Sequence, residues 1–291
     1  MRISTCARAA LLLLLLCGSG RVVTGQELFV FSEPASNMPA GATGLRITNM
    51  LMQERLPAGT RRGQARSYNY HVFPELMWGV DKRLMVHLEG IFSNRTAAPG
   101  GAMALHAEGA SVYGKYRFYS NDAMKRHFRM AIFARASVNN ADIHQEEIVT
   151  NSHNTGYQLG WVGTQLLKRT ALSLTGSYER ALPQIGAARG EDLNSPHAHD
   201  AINGVASWGR LFFPKKYTGY KQTNVNLMAE VLTQYQPQTG RWFVDIAPSV
   251  QFIFNSQTRL DIGYRRELGG NMLRTAPNGL LVRVEHVVFG W

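Results

Sequence analysis

The chain has 291 residues, 45% of them hydrophobic and 18% charged, with a formal net charge of +11. That length suits one large domain or two small ones. Beyond the first 25 residues no stretch approaches the roughly 20 apolar residues of a spanning helix. The only cysteines, Cys6 and Cys17, lie in that opening stretch, so the remainder is not a disulfide-stapled scaffold.

Residues 1–25, MRISTCARAALLLLLLCGSGRVVTG, place Arg2 and Arg8 before an apolar block that runs through Cys17 and gives way to small residues. This reads as a secretory signal peptide cut before Gln26. The block is too short for a membrane anchor, and Leu16 stands where a lipoprotein site at Cys17 wants a small residue. Its removal takes away Arg2, Arg8 and Arg21 and no acidic residue, leaving +8. A basic exported chain points to lipid phosphates or anionic solutes as partners, not to nucleic acid.

Residues 26–42, with Pro34 and Pro39, read as an irregular periplasmic lead. From about Gly44 a period-2 pattern begins and continues to the end. It predicts strands at 43–52, 66–80, 83–93, 107–120, 126–138, 155–168, 170–182, 200–213, 222–235, 241–255, 258–268 and 278–291. Alternation is clearest in the hairpin of residues 241–268. There Trp242, Val244, Ile246, Val250, Phe252, Leu260, Ile262 and Tyr264 share one face, and Asp245, Ser249, Gln251, Arg259, Asp261 and Arg265 the other. Pro74 and Pro248 fall inside predicted strands, where each removes a ladder hydrogen bond and suggests a local bulge. In the last strand Val287, Phe289 and Trp291 share a face with Arg283 and Glu285, which suggests a bulge or a changed register.

Short connections at 80–83, 120–126, 168–170, 213–222 and 255–258 alternate with mostly longer polar ones at 53–65, 94–106, 139–154, 183–199, 235–241 and 269–277. Tight turns at one end and long loops at the other are the plan of a transmembrane, antiparallel, up-and-down β-barrel of about twelve strands. Closure pairs every backbone group, which lipid requires. The domain reading is therefore signal peptide 1–25, lead 26–42 and outer-membrane barrel 43–291. Aromatics such as Tyr68, Tyr70, Trp78, Phe212, Phe213, Trp242 and Phe254 cluster near strand ends, as interfacial girdles do. Basic pairs such as Lys82-Arg83 and Lys168-Arg169 mark the short turns. Outer-membrane lipids and lipopolysaccharide are the expected surroundings, and the latter could meet Arg55, Arg61, Arg62 and Arg66 of the first long loop.

On this register His71, Glu75, His87, Glu89, Lys115 and Glu267 point inward, together with the lumen candidates Arg117, Arg129, Arg135, Glu230, Asp245, Arg259, Asp261 and Arg265. Twelve strands enclose a space between the packed eight-strand size and open porins. Mixed charges there can pair with one another, or can line a narrow path whose arginines favour carboxylate or phosphate. Two loop clusters carry metal-ligand or acid–base residue types: Asp142, His144, Glu146 and Glu147, and Asp192, His197, His199 and Asp200. Neither shows a fixed third ligand. His153 is followed by Asn154 and Thr155, not by the serine two residues on that twelve-strand outer-membrane phospholipases use. No catalytic residue, metal or cofactor is expected.

Over residues 26 to 291 the chain resembles a group of outer-membrane β-barrel proteins of Gram-negative bacteria. The likeness is carried by QELFVFSEPASNMPA, YGKYRFYSND, HFRMAIFAR, YKQTNVNLMAE, APSVQFIFNSQTRLDIGYRREL and LRTAPNGLLVRVEH. More distantly it looks like outer-membrane transporters linked to aromatic-compound degradation. The resemblance implies a fold and a location and brings no site residues. The strand ending at Trp291 looks like the C-terminal signal that barrel-assembly machinery reads. The expectation is a barrel that passes or binds small solutes, anions among them. The alternatives are a structural or surface-interaction barrel with a closed, salt-bridged lumen, and an outer-rim hydrolase.

Overall fold

A computed structural model describes residues 29–53, 68–94, 105–123, 126–140, 146–183, 198–215, 222–274 and 277–289. Twelve strands form one closed sheet: β1 (Thr43–Gln53), β2 (Tyr68–Gly79), β3 (Leu84–Ser93), β4 (His106–Ala123), β5 (Arg126–Asn139), β6 (Gly156–Leu167), β7 (Thr170–Ala181), β8 (Asp200–Phe213), β9 (Asn224–Gln236), β10 (Arg241–Phe254), β11 (Thr258–Gly270) and β12 (Asn278–Val288). Each pairs antiparallel with its sequence neighbours, and β1 closes on β12. No edge is left unpaired, so no backbone row is open to another chain.

Alternation along each strand sets the two faces. Outward stand large apolar groups such as Leu45, Ile47, Leu76, Leu88, Val112, Ile132, Leu174, Ile202 and Leu280. Inward stand Arg46, His71, Glu75, His87, Lys115, Glu230, Asp245 and Glu285, all buried. This inside-out distribution is that of a barrel standing in lipid. Exposed Trp78, Tyr116, Phe118, Phe212, Phe213 and Phe254 ring the short-turn end, and Tyr178, Tyr235 and Trp242 the long-loop end.

The prolines do not bulge the sheet. Pro74 keeps its place opposite Ile47, and Pro248 opposite Ala229, in unbroken registers. On their other sides, toward β3 and β11, the pairing lapses and resumes in the same register. The missing N–H is absorbed by leaving two successive residue pairs out of the ladder beside each proline. Register shifts occur elsewhere, at Ile91/Phe92, Arg117/Tyr119, Leu211/Phe213 and Val244/Asp245. The last strand also needs no bulge. β12 runs in one register against both β1 and β11. Its apolar inward end, Val287 with Phe289, packs on Met38, Ala42, Met77, Met85 and Tyr113. The lumen is apolar there because the lead fills it.

Candidate functional site

Among the described residues, two longer segments that are not wall strands fold into the barrel from opposite ends. The first is the lead, residues 29–42. It hooks onto the short-turn end, where Gly41 N donates to Gly79 O at 2.7 Å and Gly79 N to Ala42 O at 2.9 Å. Gly41 turns the chain at φ +77°, a conformation glycine adopts without steric cost. Gly79 lets the lead cross the wall closely, since a Cβ there would lie 2.1 Å from Pro39 O. The lead's own backbone has no strand partner along the lumen, so inward side chains satisfy it. Glu230 accepts from Val30 N at 3.0 Å and Phe31 N at 2.7 Å. Ser32 Oγ and Ser207 Oγ donate to the same carboxylate. Ala35 N donates to Thr164 Oγ1, and Lys115 Nζ donates to the carbonyls of Pro34 and Ser36. Small inward residues, Ala131, Ala171 and Val162, leave room for Phe29 and Ala35.

The second segment is the loop between β5 and β6. Residues 146–155 dip into the long-loop end. Ile148 is clamped by both groups of Gln234, N–H to Oε1 at 3.0 Å and C=O to Nε2 at 2.7 Å. Thr150 donates its N–H and its hydroxyl to Glu179 Oε1. The electrostatic centre is Arg274, from the connection after β11, whose side chain is 0% exposed. Its guanidinium meets Glu147 at 2.9 Å, Asp245 at 2.8 Å and Glu267 at 3.3 Å, and stacks 3.8 Å over the Phe243 ring. Arg265 bridges Asp245 and Glu147 at 2.6 and 2.9 Å. Burial alone would raise the Glu147 carboxyl, but Arg265 and Arg274 overcome it and hold it at about 2. The Arg274 guanidinium is held above its ordinary value: burial lowers it, and Glu147 and Asp245 more than compensate.

A third cluster ties the lead to the wall. Arg46 reaches Glu33 at 2.6 Å, Glu75 at 3.1 Å and Glu285 at 2.8 Å. Glu285 also binds Arg259, and Glu75 binds His87. Glu33 lies well below the ordinary carboxylate range: burial opposes its charge, and Arg46 and Lys115 outweigh burial.

Between lead and loop lies a chamber of ≈ 290 Å³. Its floor is Val30–Glu33 of the lead, its ceiling Glu147–Val149 and Asn151–His153 of the loop. The walls carry Arg46, Arg135, Arg265 and Arg283 among Glu75, Glu89, Glu179, Gln158 and Asn203, with apolar patches at Phe73, Phe133 and Phe243.

Of the lumen candidates, Arg135 and Arg265 line this chamber. Arg135 is held by Glu89 at 3.0 Å and lies over Tyr113. Glu230 is committed to the lead, Asp245 to the arginine pair and Arg259 to Glu285. Asp261 is buried beside Arg283 across the β11–β12 ladder. Arg117 and Arg129 sit lower, at the short-turn rim: Arg117 donates to Lys82 O, and Arg129 to Ser36 Oγ and Asp122. Sequence reasoning missed Arg46, Arg274 and Glu33. Arg46 had a period-2 signal in GLRITNM; Arg274 and Glu33 lie in irregular segments and had none. Of the loop clusters, Glu147 turns into the chamber, while the Glu146 side chain stays at the rim beside Leu273 N and Arg241. Asp200 is engaged by Arg180, Tyr178 and Gln238. Asp142, His144, Asp192 and His197 lie outside the described residues, as do the first-loop arginines and Trp291.

No protein-family model matches the chain, and no curated protein matches it in sequence. Among solved structures it is similar to the crystal structure of an outer membrane channel from Pseudomonas putida F1. That likeness has a TM-score of 0.55 and 10% identity and covers 92% of this chain and 100% of that one. The β domain of the Bordetella autotransporter BrkA aligns over 85% of this chain and 99% of that chain, with TM-score 0.49 and 13% identity. The first of these supports the barrel fold.

Proposed function

We propose that this protein is an outer-membrane channel for small solutes whose path is closed at rest by two displaceable segments. The short turns and the lead face the periplasm, and the long loops face outside. The observation that carries this reading is the chamber itself. A space of ≈ 290 Å³ with mixed polar and apolar walls sits inside the barrel, and what borders it toward each end is the lead and the loop, not wall. Between their backbone hooks at Gly41–Ala42 and at Glu146 and Thr155, the lead and the loop are held by side chains, so either can leave the lumen without breaking a β-ladder. A barrel whose only task was structural would gain more from packed apolar residues than from buried ion pairs, which rarely add net stability. The similar Pseudomonas putida protein is named an outer membrane channel, which agrees with the reading. Lipid and lipopolysaccharide surround the belt, and assembly machinery reads β12.

A second reading keeps the barrel permanently shut. It is favoured by how fully the lumen charges pair. Planar-bilayer recording separates the two. The channel reading expects brief openings in the full chain and a steady conductance once residues 29–38 are deleted and Glu147→Gln loosens the loop. A doubly released barrel that stays silent would leave only the structural role.

A further inference from the structure

The chamber's cations are not equivalent. Arg46 holds three carboxylates, Arg135 holds Glu89, and Arg265 holds Asp245 and Glu147. Arg283 holds none among the described residues. Its one hydrogen bond runs from Nε to Thr48 Oγ1 at 3.1 Å, across the β1–β12 ladder. That bond engages Nε and leaves the two terminal nitrogens of this chamber-lining arginine without a hydrogen bond among the described residues. Asp261, its neighbour across the β11–β12 ladder, makes no ion pair with it. The nearby carboxylates Glu33 and Glu75 pair with Arg46, and the second oxygen of Glu33 lies 3.7 Å from Lys115 Nζ.

Beside this arginine lies an apolar patch. Leu281, two residues earlier on the inward face of β12, packs with Val30, Phe31 and Met50. Phe31, Met50 and Leu281 also line the chamber. On β7, nearly opposite β12 in the ring of strands, the chamber-lining Thr175 carries a buried hydroxyl with no partner among the described residues. A planar guanidinium with a free fork suits a carboxylate bound through both oxygens. An adjoining apolar patch suits the body that carries it. The volume is at the lower end of the ~300–1,000 Å³ usual for small-ligand pockets.

We infer that Arg283 and Thr48 form a binding site for a small organic carboxylate, whose apolar body rests on Phe31, Met50 and Leu281. The inference rests on the reading that the chamber takes solute. It makes the lead part of the site, since Phe31 belongs to the lead. Release of the lead therefore removes one wall of the site as it opens the path.

The test is overnight equilibrium dialysis of refolded full-length protein with cyclohexanecarboxylate, which allows for slow entry. Cyclohexanecarboxamide and acetate are the comparison probes. Wild type should bind cyclohexanecarboxylate saturably at one site, and the amide and acetate at least tenfold more weakly. Arg283→Met should weaken cyclohexanecarboxylate at least tenfold. Phe31→Ala should weaken it severalfold and leave acetate unchanged. Arg210→Met, on the outer face, should change nothing. Heat-modifiable gel migration confirms that each variant is folded; should Arg283→Met fail to fold, Thr48→Val and the amide carry the test. No saturable binding by wild type, which would mean a chamber holding water only, overturns the site. So does equal binding of carboxylate and amide, or unchanged binding by Arg283→Met. Conduction without binding removes the site and keeps the channel; binding with no conduction in any variant removes the channel and keeps the site.

Discussion

Glu147 offers the most quantitative handle on the outer closure. Its carboxyl is held at about 2 against an ordinary 4.5, because Arg265 and Arg274 outweigh the effect of burial. A depressed acid contributes stability that is complete above its ordinary value and is lost as pH falls through its folded value. The window is therefore pH 4.5 to 2. The difference of 2.5 units corresponds to about 3 kcal/mol of loop docking at 1.36 kcal/mol per unit. Removing the charge permanently should take away a similar amount at neutral pH. Arg274 would keep Asp245 and Glu267, so the variant does not strand a bare cation. The perturbation is Glu147→Gln in a background lacking residues 29–38, which removes the lead and its own acid-sensitive Glu33. The assay is channel open probability at stepped pH. With Glu147 present, opening should be rare at pH 7 and should rise roughly a hundredfold between pH 4.5 and 2. In the Glu147→Gln form it should be high at pH 7 and nearly flat through that window. Parallel pH curves for the two proteins would refute the reasoning, because the loop would then be held by something other than this carboxylate.

Other consequences follow from the same contacts. Glu230→Ala leaves the Val30 and Phe31 amides without their acceptor, at about 1–3 kcal/mol for each group that stays dry; the lead should become cleavable by protease in refolded protein while the barrel band survives. Gly79→Val puts a Cβ where Pro39 O now sits, so it should unhook the lead and give the same cleavage pattern; an intact lead would mean the wall shifts instead. Leu88 is 52% exposed on the outer face, and Leu88→Arg should cost about 2–4 kcal/mol of stability in a bilayer if it sits near the midplane. A neutral result in denaturant titration from vesicles would contradict the lipid-facing belt. A protease site inserted near 190 should be cut on intact cells and one near 82 should not; the reverse pattern would invert the orientation.

The wall was legible because a half-buried strand writes period 2 into the sequence whatever fills the barrel. RWFVDIAPSVQFIF and TRLDIGYRREL show it plainly, and β10 and β11 fall at Arg241–Phe254 and Thr258–Gly270. What fills the barrel was not legible. The lead reads FVFSEPASN, with no period, and its partners Glu230, Thr164 and Lys115 sit on three different strands. Only the closed register shows that they converge. Arg274 comes from an irregular connection, and nothing nearby marks it as the centre of an ion-pair network. The end of β12 was misread for a related reason. Assuming a polar lumen, an inward Val287 and Phe289 call for a bulge; with Met38 and Ala42 inside, they are core residues. Period-2 patterning reports which side a residue faces and is silent about what it meets there.

Planar-bilayer recording of the full chain beside the form lacking residues 29–38 and carrying Glu147→Gln tests the central claim most directly. The account predicts a nearly silent full chain and a steady conductance in the released form, through the space now closed above and below the chamber. Silence in both, with folded barrels, would contradict it, as would equal and steady conductance in both.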